Sequence, residues 1–280
     1  MTEAVPEPPC EPFFLPSQQG ERFCIYHPAA GAAGAARGAV LYLHPFAEEM
    51  NKSRRMAALQ ARALAARGFA VLQIDLFGCG DSSGEFGEAS WEAWRQDVAL
   101  GVRWLRQRGH ESITLWGLRL GALLALDAGR ECVPAPVAYV LWQPVVSGEA
   151  LLTQFLRVRI ASEMLSEGRS RSGVQELRAA LAAGETVEVA GYALNGQIAA
   201  SMDALRLVGL APLGTPVRWF ELVPESGRDL PPAAQRVAQS WMRADVRLEV
   251  RCVPGLPFWN SVEISECRGL IDATSKTIAG

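Results

Sequence analysis

Ser112-Ile-Thr-Leu-Trp-Gly117-Leu-Arg119-Leu-Gly121-Ala-Leu-Leu124 is the stretch from which the rest of the chain can be laid out. Ser112 to Trp116 reads as a buried strand, and Leu120 to Ala128 as an apolar helix that follows with almost no loop. Glycines at 117 and 121 permit a sharp strand-to-helix turn with close helix–strand packing, the form of a nucleophile elbow. The middle position of such a turn is expected to hold Ser, Cys or Asp. Here it is Arg119. A guanidinium stays protonated at physiological pH and cannot attack a carbonyl.

Strand and helix patterns alternate on both sides of this turn. Phe13 to Leu15 and Arg22 to Tyr26 are strand-like, Ala29 to Gly38 is an Ala/Gly loop, and Val40 to Leu43 is a buried strand. Asn51 to Arg67 is predicted helical, with Met56, Leu59 and Ala63 on one face and Gly68 as its stop. Phe69 to Ile74 is a strand that ends in Asp75-Leu-Phe-Gly-Cys79-Gly-Asp-Ser82. Trp91, Trp94, Val98, Val102 and Leu105 mark an amphipathic helix capped by Ser90, and Val137 to Trp142 is the next strand.

From Glu149 to about Ala211 the rhythm breaks. Leu151–Leu165, Val174–Ala183 and Ile198–Leu207 are helix-like, and only Thr186 to Val189 has strand character. Alternation resumes with Pro216–Val223, Pro232–Arg243 and Val246–Val253. The expected fold is α/β, a mostly parallel sheet flanked by helices. Residues 1–148 and 212–280 would form its core, and 149–211 a helical cap insertion.

Composition narrows the class. In 280 residues, 49% are hydrophobic, and 27 Lys+Arg stand against 30 Asp+Glu for a net charge of −3. Disorder does not fit this apolar content, and a nucleic-acid grip would need a basic excess. Cys10, Cys24, Cys79, Cys132, Cys252 and Cys267 are scattered without a C-x-x-C pair, against a zinc site or disulfide framework. Met1 to Gly20 has no cationic start or apolar run of the signal-peptide kind, and no transmembrane stretch is evident. A reduced, cytoplasmic protein without metal or cofactor is expected, and the apolar insertion could bury a homodimer face.

In an open parallel sheet, ligands sit beyond the carboxyl ends of the strands. A triad would need its base in the loop after the last strand, but Pro254-Gly-Leu-Pro-Phe-Trp259 holds no histidine. Of His27, His44 and His110, only His44 lies at the catalytic edge. Glu225 and Asp229 could take the acid position but would have no base to orient. A Ser-His-Asp mechanism is therefore not expected.

His44-Pro45-Phe46 after a strand, the Asp75–Ser82 turn and the elbow pattern together resemble the α/β-hydrolase fold. The longer runs His44-Pro-Phe-Ala-Glu-Glu-Met-Asn-Lys-Ser-Arg-Arg-Met56 and Trp116-Gly-Leu-Arg-Leu-Gly-Ala-Leu-Leu124 resemble the second type of exosortase-A-system-associated hydrolase, as does the Pro-Gly-x-Pro-Phe-Trp ending. That family is encoded beside bacterial exopolysaccharide and protein-sorting genes. The resemblance implies a hydrolase by fold without supplying a triad, since Arg119 belongs to the matched pattern.

Two readings of the site stand. In one, Arg119 at a helix N-terminus binds an anionic or carbohydrate-related ligand. Glu48, Glu49, Asn51, Arg55, His44 and Asp75 would then surround the pocket, Trp142, Trp259 and Phe258 would offer a stacking surface, and the Phe46 and Leu120 amides would stand where an oxyanion hole lies. Alternatively, Arg119 pairs internally with Glu48, Glu49, Asp75 or Asp81 and plugs the pocket. Enzymatically, the remaining route is a non-serine one, a carboxylate such as Asp75, Glu48 or Glu49 activating water on an acyl or exopolysaccharide-related substrate. Cys79 and Ser82 are the stand-in nucleophiles on this edge, Cys79 only with a depressed pKa. A binder of an anionic metabolite or protein partner is favoured over catalysis.

Overall fold

A computed structural model describes residues 10–31, 36–167, 172–261 and 263–280. Residues 1–9, and residues 32–35 of the Ala/Gly loop, lie outside these. Two N-terminal strands, β1 (Glu11–Ser17) and β2 (Gly20–His27), form an antiparallel hairpin. Then come β3 (Gly38–Leu43), α1 (Glu48–Ala65), β4 (Phe69–Ile74), α2 (Trp91–Gln107), β5 (Ile113–Leu118), α3 (Leu120–Gly129) and β6 (Ala138–Trp142). After β6 the chain runs through α4 (Gly148–Glu167), α5 (Val174–Ala182), a hairpin of β7 (Val187–Val189) and β8 (Tyr192–Leu194), and α6 (Gly196–Ala204). It closes with β9 (Val217–Val223), α7 (Pro232–Arg243), β10 (Leu248–Pro254) and α8 (Arg268–Ala279).

Eight strands form one sheet in the order β1-β2-β4-β3-β5-β6-β9-β10. Pairing is antiparallel from β1 to β4 and parallel from there to β10. The fold is an α/β-hydrolase fold. β3 and β5 are buried along their whole length, as strands covered on both faces must be. Side-chain alternation sorts their residues into two cores. Leu41, Leu43, Leu115 and Leu141 pack under α2, α3 and the segment between β6 and β9. Val40, Tyr42, Trp116, Val140 and Trp142 pack with residues of α1 and α8.

The strand character of Thr186 to Val189 is borne out, since Val187–Val189 pairs with Tyr192–Leu194 across a two-residue turn at Ala190 and Gly191. The C-terminal helix α8, whose Leu270, Ile271 and Ile278 cover the second core, was not anticipated from the sequence. Ser90 does cap α2, its hydroxyl accepting from the Ala93 amide. Among the described residues, no helix is long and apolar enough to cross a membrane, and no group of His, Cys, Asp and Glu is placed to hold a metal ion.

Candidate functional site

The elbow has the backbone its sequence implies. Arg119 stands at φ 56°, ψ −116°, a shape disfavoured for any residue with a Cβ, between the end of β5 and the start of α3. Its N–H donates to the Trp142 carbonyl at 2.9 Å. Both glycines are obligatory. A Cβ on Gly117 would lie 2.3 Å from the Gly121 carbonyl oxygen, and one on Gly121 would lie 2.3 Å from that of Leu43. Ala47 and Gln143, after β3 and β6, also have positive φ, so three adjacent strands end in strained turns around one crevice.

Within that crevice Arg119 is already paired. Its Nε lies 3.2 Å and its Nη2 3.1 Å from Glu49 Oε1, with side chains 16% and 20% exposed. The guanidinium also sits 5.3 Å from the centre of the Trp259 ring. Trp259 comes from the loop after β10, so an indole faces residue 119 from the segment that would carry a base. Burial pushes the Glu49 carboxyl above the usual range, and Arg119 pulls the other way.

The other expected site residues have separate employments. His44 is buried, its Nδ1 2.7 Å from the Pro45 carbonyl and its Nε2 3.2 Å from the Leu76 amide. That fixes a neutral imidazole with its proton on Nδ1, and burial lowers its pKa further. Both ring nitrogens are engaged within the protein. Asp75 accepts two hydrogen bonds from Arg54 and one from the Asp81 amide. Arg55 turns outward to Glu266. Glu48 and Asn51 join Tyr192 of β8 in a hydrogen-bonded triangle that ties the loop after β3 to the hairpin.

Trp142 does not line a pocket. It follows the alternation of β6 into the second core, donates to Thr274 at 2.9 Å and packs edge-on against Trp116 and Phe258. Cys79 is buried, and desolvation together with Asp75 and Asp97 raises its thiol pKa, the opposite of activation. Ser82 donates to the Asp75 carbonyl and accepts from the Phe23 amide, which makes it a turn residue.

The Phe46 and Leu120 positions border a space of only about 10 Å³, shared with His44, Gly121, Trp91 and Trp94. That is at the lower limit for a single water. Aromatic rings roof it. Phe46 meets Phe155 of α4 at 5.1 Å and Phe86 at 5.3 Å, and Phe86 meets Tyr192 at 5.0 Å.

Sequence reasoning missed Glu221. This lone acid in the apolar strand Val217–Val223 is buried, accepts from Trp219 Nε1 at 2.8 Å and Gln143 Nε2 at 2.9 Å, and is pushed up to about 7 by desolvation. Its isolation within a strand read as fully buried was the available signal. Tyr192 was missed because its partners are distant in sequence.

Comparison with known proteins agrees with the fold. Residues 34–198 match the family described as serine aminopeptidase, S33. The human protein ABHD12B is 32% identical over 121 residues, which is 41% of this chain and 32% of that protein, so the chain spans about a third of its curated relative. Among solved structures, ferulic-acid-bound Est1E from Butyrivibrio proteoclasticus superposes with a TM-score of 0.68 at 13% identity, covering 95% of this chain and 97% of its own. A soluble variant of the monoglyceride lipase from Saccharomyces cerevisiae, in complex with a substrate analogue, gives 0.64 at 14% identity, covering 99% and 95%. A mostly parallel sheet with an elbow after its central strand β5, and a family match across β3 to α6, lead to one conclusion: this chain belongs to the serine aminopeptidase S33 family of α/β-hydrolase-fold proteins.

Proposed function

We propose that this protein is a non-catalytic member of its family, a binder of an anionic metabolite or of a protein partner. The observation that carries the reading is the Arg119–Glu49 pair at the position of the attacking residue, faced by Trp259 and by no imidazole. A fixed cation there cannot be acylated. The resemblance of the 44–56 and 116–124 runs to exosortase-associated hydrolases supports an exopolysaccharide or protein-sorting setting, with a carbohydrate-related acid as the small ligand. Such a ligand reaches Arg119 by displacing Glu49. Because burial disfavours the Glu49 anion, the freed carboxyl takes up a proton, so binding tightens as pH falls.

One observation favours a second reading, hydrolysis with Glu49 activating water: its raised pKa beside the elbow is what a general base requires. A panel of 4-nitrophenyl esters decides between them. Wild type, Arg119→Ala and Arg119→Ser should all fail to exceed the buffer rate, the last because no histidine stands by to activate a serine. Turnover by wild type that disappears in Glu49→Gln would replace the binding reading with the hydrolytic one. Glucuronate and inorganic phosphate then serve as probes in thermal shift at about pH 5.5 and about pH 8. Stabilisation should be larger at the lower pH and absent from Arg119→Ala.

A further inference from the structure

The last strand of the sheet, β10, pairs with β9 on one side and, among the described residues, with no strand on the other. The hydrogen bonds flanking it reveal which groups point outward. Arg247 offers its carbonyl to Val217, and Gly255 donates its amide to Val223, so odd-numbered residues face β9. Leu248, Val250 and Cys252 therefore turn their N–H and C=O groups to the free edge. Pro254 follows without an N–H and ends the usable stretch.

Such an edge ordinarily carries charges that repel a second strand. Here the charges on one face are Glu249 and Arg251, paired with each other at 2.5 Å and about half exposed. A second copy laid antiparallel with the two-fold axis at Val250 puts Glu249 opposite Arg251 and Arg251 opposite Glu249. Val250 then meets its own copy, and Leu248 meets Cys252, so every outward amide and carbonyl finds a partner. Moving the axis to residue 249 or 251 sets like charges opposite each other, and moving it to Cys252 brings Val250 against Pro254, which cannot donate. An axis at Leu248 would also set opposite charges together, but it brings Val250 against Val246, whose amide already donates to the Trp241 carbonyl, so the Val250-centred register is the one that satisfies both the charges and the backbone. That register also carries Leu256, 69% exposed just past β10, toward the end of the second copy's α7, where Met242 is 55% exposed.

We propose that two copies of this chain associate through β10 as an isologous antiparallel pair centred on Val250, which joins their sheets into one. The apolar insertion, from which sequence suggested a dimer face, takes no part in it.

Sedimentation equilibrium on the full chain tests this by charge exchange. Wild type sediments as a dimer. Glu249→Arg sets arginines opposite each other twice, Arg251→Glu does the same with glutamates, and each weakens association by about tenfold or more. The double variant E249R/R251E exchanges the two charges and restores the dimer, an outcome that misfolding cannot imitate. Oxidation links V250C/C252S into a covalent dimer, since the paired Cα atoms stand about 5.5 Å apart, and leaves wild type unlinked. A monomeric wild type, a dimer indifferent to either single reversal, or a double variant no better than the singles would overturn the assignment.

Discussion

Two arginine–carboxylate pairs in this molecule each set a guanidinium against an aromatic ring. Arg22 of β2 gives its Nε to Asp97 of α2 at 2.6 Å and lies 4.8 Å over the Phe77 ring. Arg119 gives its Nε and Nη2 to Glu49 of α1 and lies 5.3 Å from Trp259. Burial separates them. Arg22 and Asp97 are each 2% exposed, and their remaining groups are engaged by the Gln19 carbonyl and the Phe77 amide. Arg119 and Glu49 stand at the mouth of a crevice, and Arg119 occupies a strained backbone conformation that Arg22, in mid-strand, does not. Where there is no elbow, the chain uses the arginine–carboxylate–aromatic sandwich as a structural weld. At residue 119 the same parts sit on a backbone shaped for attack, so the side chains plug what the main chain still presents.

If that contrast is right, breaking the weld costs far more than breaking the plug. Arg22→Ala leaves Asp97 buried without its cation and should lower the free energy of unfolding by about 3–5 kcal/mol in urea titrations. Equal losses for Arg22→Ala and Arg119→Ala would show the two pairs to be one kind of object.

The weld also has a pH signature. Burial, opposed by Arg22, pushes the Asp97 carboxyl up from 3.8 to about 6. The folded state therefore binds a proton that the unfolded state has released across that window, and stability falls as pH rises through it. The difference in unfolding free energy between wild type and Asp97→Asn should shrink by about 3 kcal/mol from about pH 4 to about pH 6, then level off. A difference that grows with pH would mean that the ion pair outweighs its desolvation.

Arg119→Ala should have a smaller effect, about 1 kcal/mol, because both partners are partly exposed rather than sealed like Arg22 and Asp97. Urea titration at neutral pH measures it.

The sheet was legible because buried parallel strands are continuous apolar runs, and Val40–Leu43, Phe69–Ile74 and Ser112–Trp116 needed no distant information. The Gly117 and Gly121 pair located the elbow for the same local reason, and the missing histidine after β10 could be read directly. Pairing was not legible. Arg119 had several carboxylates within plausible reach, and only the placement of α1 singled out Glu49. Asp75 went to Arg54, three residues past Asn51 on the same helix, and Trp142 turned to α8, an element that the 3.6-residue period of Leu270, Ile271, Thr274 and Ile278 leaves weakly marked beside its polar residues. β8, the second arm of the hairpin, escaped because a strand of three residues carries too little alternation to stand out from helical surroundings.

The finest test of the contrast is at the backbone of residue 119 itself. Arg119→Gly and Arg119→Ala remove the same ion pair and the same contact with Trp259, so their difference isolates main-chain strain. At φ 56°, ψ −116° a Cβ is unwelcome, and glycine relieves it, while its greater freedom in the unfolded chain takes part of that gain back. Arg119→Gly should thus be the more stable of the two by about 1 kcal/mol, or about 2 °C in thermal unfolding for a chain of this size. At ordinary mid-strand positions the order reverses, alanine exceeding glycine, which makes the sign more informative than the size. Alanine equal to or above glycine at 119 would mean that the turn holds no strain, and Arg119 would then need no more explanation than Arg22.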